Sequence, residues 1–197
     1  MSNKEVKLCD PRILNKCEGC HFTAKQNEVK FVHFEYHGEL KDIKVVFVGG
    51  FPGKIDAECK RPFHPNSLSG NVIRSIPVGL NLENYAFLNV ISCWSNTRIP
   101  TKKESDYCSV HLNLFLNNIN EKSTIFLLGK TAILAILSKI TGYADECKTV
   151  ASMAKLQPVL YQKRVFVPCY SPHYIATFGG VKSLKYQEYF ERFKENI

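Results

Sequence analysis

Eight cysteines stand in a chain of 197 residues, and four of them have spacing suited to a metal: Cys17 and Cys20 form a C-x-x-C, and Cys93 and Cys108 follow far downstream. C-x-x-C sets two thiolates on one tight loop, as a tetrahedral zinc or a cubane iron–sulfur cluster requires, and two further cysteines complete either set. Spacing alone leaves zinc and iron both open, although a zinc ribbon usually repeats its C-x-x-C and here the second pair is split by residues 94–107. The remaining Cys9, Cys59, Cys147 and Cys169 read as packing or surface thiols.

Other chemistry-bearing residues gather in four short segments. Gly49-Gly50-Phe51-Pro52-Gly53 allows close backbone approach, and it is followed by two carboxylates, Asp56 and Glu58, then by Lys60-Arg61-Pro62-Phe63, where Phe63 offers a stacking face. Asn89, in Asn89-Val90-Ile91-Ser92-Cys93, has an amide able to pair bidentately with the edge of a base. Leu128-Gly129-Lys130-Thr131-Ala132 leads from strand through glycine into a helix whose amino end suits a phosphate, but it lacks the full Walker spacing of a nucleoside-triphosphate site. Tyr170-Ser171-Pro172-His173 ends in a histidine able to sit as a cation beside a leaving group or phosphate.

The elements that must position these segments alternate. Lys44 to Val48, Tyr85 to Ile91, Thr124 to Leu128 and Arg164 to Pro168 are apolar, partly β-branched runs, read as strands. Ser105 to Asn118, Lys130 to Ile140 and Leu184 to Glu195 are read as helices, the first from Val110, Leu112, Leu114 and Phe115. Alternation of this kind predicts an α/β fold in three αβα layers around a mostly parallel four-stranded sheet, with sites on loops at the carboxyl ends of the strands. One domain is expected over residues 1–197, residues 1–16 being an amino-terminal extension.

Composition is ordinary for a globular chain, 45% hydrophobic and 12% aromatic, and Met1 to Asp10 carries no apolar signal segment. A reducing cytoplasm is expected, no membrane association, and a monomer. The formal charge of +8 favours a polyanionic partner. The cations Lys60-Arg61, Arg98, Lys102-Lys103 and Lys163-Arg164 fall in or beside loops, where phosphate contacts are commonly made.

Taken in order, these motifs resemble the iron–sulfur uracil-DNA glycosylases of the family 4 and 5 branch. The likeness runs from Cys17 onward: Cys17-Glu18-Gly19-Cys20, Gly49 to Gly53, Arg61-Pro62-Phe63, Asn89 to Cys93, Pro100-Thr101 to Cys108, and Leu128 to Ala132 stand collinear with the family's motifs. The resemblance implies a structural [4Fe–4S] cluster on Cys17, Cys20, Cys93 and Cys108. It also implies DNA as partner and base flipping, the base lying against Phe63 with Gly50 and Phe51 beside it and Asn89 reading its edge. Lys60, Arg61, Arg98, Lys130 and Ser171 would meet the DNA backbone.

Two loops depart from the family pattern. Gly50 stands where the family has an acidic residue, and Ser171-Pro172-His173 stands where it usually has His-Pro-Ser. The expectation is hydrolysis of an N-glycosidic bond with Asp56, Glu58 and His173 as the catalytic groups, acting on uracil or on a bulkier modified pyrimidine, in repair or in defence against phage. A non-catalytic, lesion-sensing relative and an unrelated metal-bearing interaction protein are the alternatives.

Overall fold

The computed structural model describes residues 6–9, 20, 30–94, 100–139 and 156–197. The strands described are β1 (Val6–Cys9), β2 (Lys30–Phe31), β3 (Phe34–His37), β4 (Val45–Gly49), β5 (Tyr85–Asn89), β6 (Cys93–Trp94), β7 (Thr124–Leu128), β8 (Val159–Tyr161) and β9 (Arg164–Cys169). The α-helices are α1 (Lys54–Glu58), α2 (Leu68–Gly79), α3 (Lys102–Asn118), α4 (Lys130–Leu137), α5 (Pro172–Thr177) and α6 (Leu184–Lys194).

The four strands expected from sequence lie side by side and parallel, in the order β5-β4-β7-β9. Their side chains alternate between two apolar clusters, as the two-residue period of a strand demands. Val46, Val48, Ala86, Leu88, Ile125, Leu127 and Phe166 face α3 and α4, meeting Leu112, Phe115, Ala132 and Ile133. Val45, Phe47, Phe87, Phe126, Leu128 and Val167 face the other way, meeting Val72, Ile73 and Ile76 of α2, Ile175 of α5 and Phe193 of α6. A parallel strand covered on both faces has no polar side to show, which is why these runs are apolar throughout.

The sheet is larger than the four strands expected. Antiparallel β3 and β1 extend it beyond β5, and antiparallel β8 extends it beyond β9, giving seven strands in the order β1-β3-β5-β4-β7-β9-β8. These rim strands are short and carry charged or exposed residues such as Lys7, Glu35 and Leu160, so they lack the apolar signature of the centre.

Helix boundaries follow local chemistry. α3 begins three residues before the expected Ser105 because Thr101 and Glu104 form a capping box: the Thr101 hydroxyl accepts the Glu104 N–H, and the Glu104 carboxylate accepts the Thr101 N–H at 2.8 Å. α2 was not anticipated, although Ser67 is a recognisable cap whose hydroxyl accepts the Gly70 N–H, because Pro77 stands inside its last turn and masks the helical pattern. None of the described helices is long and apolar enough to cross a membrane.

Candidate functional site

The carboxyl ends of β4, β5 and β7 open into a cavity of about 660 Å³, within the size range of small-ligand sites. β4 connects outward to β5 on one side while β7 lies on the other, so the cavity sits where the strand order reverses, the usual crevice of an open parallel sheet. The cavity brings together Gly50, Phe51, Asp56, Phe63, Asn89, Lys130, Ser171 and His173, which the sequence placed in four separate segments. The amino-terminal residues of α1, α2, α4 and α5 all line it. α2 and α4 are long enough to turn the positive end of a helix dipole toward its contents, and Lys130 adds an exposed cation.

Its floor is pinched at Gly49. A Cβ there would stand 2.5 Å from Asn89 Oδ1 and 2.6 Å from Phe63 Cζ, so only glycine lets the amide of Asn89 and the ring of Phe63 come together. Both side chains are buried, Asn89 at 4% exposure and Phe63 at 6%, leaving one polar group and one aromatic tip at the bottom of the cavity. Phe63 also takes a positive φ of 48°, a strained conformation for a bulky residue.

Gly50 is hemmed in from the opposite side. A Cβ at this position would lie 2.7 Å from Cβ of Thr131, in the first turn of α4. The sequence singled out Gly50 but passed over Thr131, whose place in the cavity wall depends on the long-range pairing of β4 with β7. Gly50→Ala is expected to lower the melting temperature. Thr131→Gly in the same chain is expected to recover part of the loss, with a coupling of about 0.5–3 kcal/mol in a double-mutant thermal-unfolding cycle.

Asp56 is 5% exposed, and both carboxylate oxygens are engaged: Oδ2 accepts the Gly53 N–H at 3.0 Å and Oδ1 accepts the His64 N–H at 2.8 Å. One side chain thereby ties the Gly49–Gly53 loop to the segment carrying Phe63. Asp56→Asn keeps the shape but turns an amide NH2 toward one of the two donors. The expected cost is about 1–3 kcal/mol, read from denaturant unfolding. Glu58 lies off the cavity, exposed at the end of α1 and 4.0 Å from Lys54 Nζ.

His173 is exposed in the first turn of α5, and the hydroxyl of Ser171 caps that helix by accepting the Tyr174 N–H. Ser171-Pro172 is a helix start, cap followed by proline at the first helical position. Lys60 is exposed and outside the cavity, and Arg98 lies outside the described residues.

Arg61, expected on the DNA side, has its guanidinium turned inward onto Glu35, with Nε 2.6 Å from Oε2 and Nη2 3.0 Å from Oε1. Arg74 of α2 grips the same carboxylate from Nη1 and Nη2 at 2.7 and 2.6 Å, and His37 Nε2 lies 3.0 Å from Oε1. Burial pushes the Glu35 carboxyl up, but the hydrogen bonds from His37, Arg61 and Arg74 outweigh it and hold the carboxyl far below the ordinary glutamate range. A carboxyl depressed in the folded state stabilises the fold fully above that ordinary range, and the contribution is lost as pH falls below it.

Cys93 is buried in the apolar cluster under α3, and Cys20 and Cys108 are partly buried against the same cluster. None of Cys20, Cys59, Cys93, Cys108 or Cys169 is in a disulfide. Cys17 lies outside the described residues, and among those described no three potential ligands converge into a metal-binding group. Cys59 is exposed and Cys169 is a core thiol that burial pushes up to about 12.

Residues 36–195 match the family model described as the uracil DNA glycosylase superfamily. A type-4 uracil-DNA glycosylase from Thermotoga maritima is 28% identical over 167 residues, covering 82% of this chain and 79% of its own. The family match takes in the parallel strands, the pinch at Gly49 and every described residue lining the cavity. This chain belongs to the uracil DNA glycosylase superfamily.

Proposed function

We propose that this protein is a DNA glycosylase that flips a base into the cavity, hydrolyses its N-glycosidic bond and leaves an abasic site. The observation that carries this reading is the pinch at Gly49, which sets an aromatic ring and an amide side by side on the floor of a cavity at the sheet's switch point. Stacking on a ring and hydrogen bonding to the base edge are the two contacts a flipped base needs. The likeness to a protein whose name specifies uracil in DNA agrees with it.

In the proposed reaction the base nitrogen leaves with the electron pair of its bond to C1′, the sugar gains oxocarbenium character, and water adds at C1′ and loses a proton. Asn89 would hold the departing base through its edge, and His173 would donate a hydrogen bond to the pyrimidine O2 as negative charge builds there. Asp56, fixed by two N–H groups, would act as a preset negative charge opposite the cationic sugar. The amino ends of α2 and α4, with Lys130, would receive the backbone phosphates.

We further propose a pyrimidine substrate, with a base larger than uracil favoured because residue 50 carries neither the length nor the charge of the family's acidic side chain, although Thr131 fills the space next to its Cα. Such a base would place the enzyme in defence against modified phage DNA, and plain uracil would place it in repair. A non-catalytic, lesion-sensing role is the second reading, supported by Ser171, which stands where the family usually has histidine and whose hydroxyl is occupied as a helix cap. We further propose that Cys17, Cys20, Cys93 and Cys108 hold a structural [4Fe–4S] cluster, supported by three of these thiols lying against one apolar cluster. The cluster would staple the amino-terminal segment to β6 and α3. Iron analysis and an absorbance shoulder at about 400 nm test it.

The deciding experiment incubates the iron-replete protein with DNA containing uracil, hypoxanthine, or hydroxymethylated or glycosylated pyrimidines, and scores abasic sites and released base by mass spectrometry. Release of a bulky pyrimidine bears out the favoured substrate, and efficient release of plain uracil alone overturns it in favour of repair. Binding without release across the panel supports the lesion-sensing reading.

A further inference from the structure

Beneath the cavity, and outside its lining, lies the charge cluster of Glu35, Arg61 and Arg74. Glu35 is wholly buried on β3, a strand that contributes nothing to the cavity wall. Arg74 does more than pair with it. Its Nε donates to the carbonyl of Phe63 at 2.5 Å and its Nη2 to the carbonyl of Pro62 at 2.8 Å, while its guanidinium lies 4.6 Å from the ring centroid of Phe87. Phe87 in turn supports the ring of Phe63, centroid to centroid 5.8 Å. One planar fork thus holds both the backbone of Phe63 and the ring beneath its ring, and Glu35 fixes the fork.

This arrangement answers a need the chain creates. Phe63 is held in the left-handed region, which a bulky residue leaves unless its surroundings fix it there. Asp56 fixes the following residue through the His64 N–H, and Arg74 fixes the carbonyl of Pro62 and that of Phe63 itself. The carbonyl contacts need a guanidinium, because an ammonium has no rigid set of donors reaching a carboxylate and two carbonyls in one plane.

We propose that Glu35 and Arg74 are positioning residues for base recognition: through Phe63 they set the stacking face on which the target base rests, although neither touches it. The proposal rests on the glycosylase reading for its consequence, and on the geometry of Phe63 for its cause, so the two are tested separately. Arg74→Lys and Glu35→Gln are compared with Leu112→Ala, a buried variant on the opposite face of the sheet. Meta-fluorophenylalanine incorporated at Phe63, which leaves the ring tip against Gly49 unsubstituted, reports the ring by fluorine NMR with no DNA present. In Arg74→Lys and Glu35→Gln the resonance is expected to shift or broaden, while Leu112→Ala leaves it in place.

In kinetics on a uracil- or modified-pyrimidine oligonucleotide, whichever the wild type cleaves, KM is expected to rise about tenfold or more in the two network variants. Affinity for the same oligonucleotide bearing an abasic site, which has no base to stack, is expected to stay within about twofold. An unchanged fluorine resonance in Arg74→Lys overturns the proposal, as does an equal shift in Leu112→Ala or an equal loss of affinity for abasic DNA. A wild type that cleaves nothing, with the resonance still displaced in the network variants, overturns the glycosylase reading and upholds the positioning of Phe63.

Discussion

Asn89→Ala is expected to lower kcat/KM for base release by about 100- to 1,000-fold, the usual loss when one preorganised donor to a leaving group is removed. The amide is buried at the end of β5, and its oxygen stands against Gly49 beside the tip of Phe63. Its place is therefore confined by packing before DNA arrives, and alanine takes away the proposed hydrogen bonds to the base without refilling the space. Salt-dependent affinity for DNA should change little, because the proposed phosphate contacts, the amino ends of α2 and α4 with Lys130, lie elsewhere in the cavity wall. Single-turnover release at saturating enzyme checks the first expectation and a salt titration of binding checks the second. Full activity in Asn89→Ala would remove the amide from the mechanism.

Phe47→Ala is expected to destabilise the protein by about 3–5 kcal/mol, as large aromatic truncations in a closed core do. Phe47 is wholly buried at the centre of an aromatic group, 5.2 Å from Phe87, 5.6 Å from Phe126 and 5.6 Å from Phe193 between ring centroids. These rings join β4, β5, β7 and α6, so no neighbour can close the hole without moving another element. At about 2–4 °C per kcal/mol for a chain of this size, the melting temperature should fall by roughly 6–20 °C. Phe47 stands two residues before Gly49 on the same strand, so base release should fail at a lower temperature as well. Calorimetry checks the stability, and a fall of under about 1 kcal/mol would mean the aromatic group repacks.

The parallel centre of the sheet was legible because burial on both faces forces unbroken apolar runs, and Val45–Val48 or Ile125–Leu128 permit little else. The cavity was legible for a related reason: segments at the carboxyl ends of parallel strands must converge, so the pattern of strands alone brings Gly50, Asn89, Lys130 and Ser171 together. The rim strands were not, since edge position relaxes the pattern that marks a strand. Nor was the inward turn of Arg61. Its partner Glu35 is 26 residues upstream, and an arginine turned to solvent and one turned inward look alike in sequence. Asp56 carried an ambiguous signal, because a carboxylate after Gly53 reads equally as a catalytic group and as a helix cap. Ser171-Pro172, which reads from sequence as part of a catalytic loop, also marks the start of α5.

The contact between Gly50 and Thr131 constrains the order in which this cavity can evolve. A side chain arriving first at residue 50 would collide with Thr131, whereas shortening residue 131 first leaves space that a later side chain can fill. Descent between a lineage with a bare wall and one with a carboxylate there would then pass through position 131, a historical asymmetry that reconstructed ancestral sequences should record.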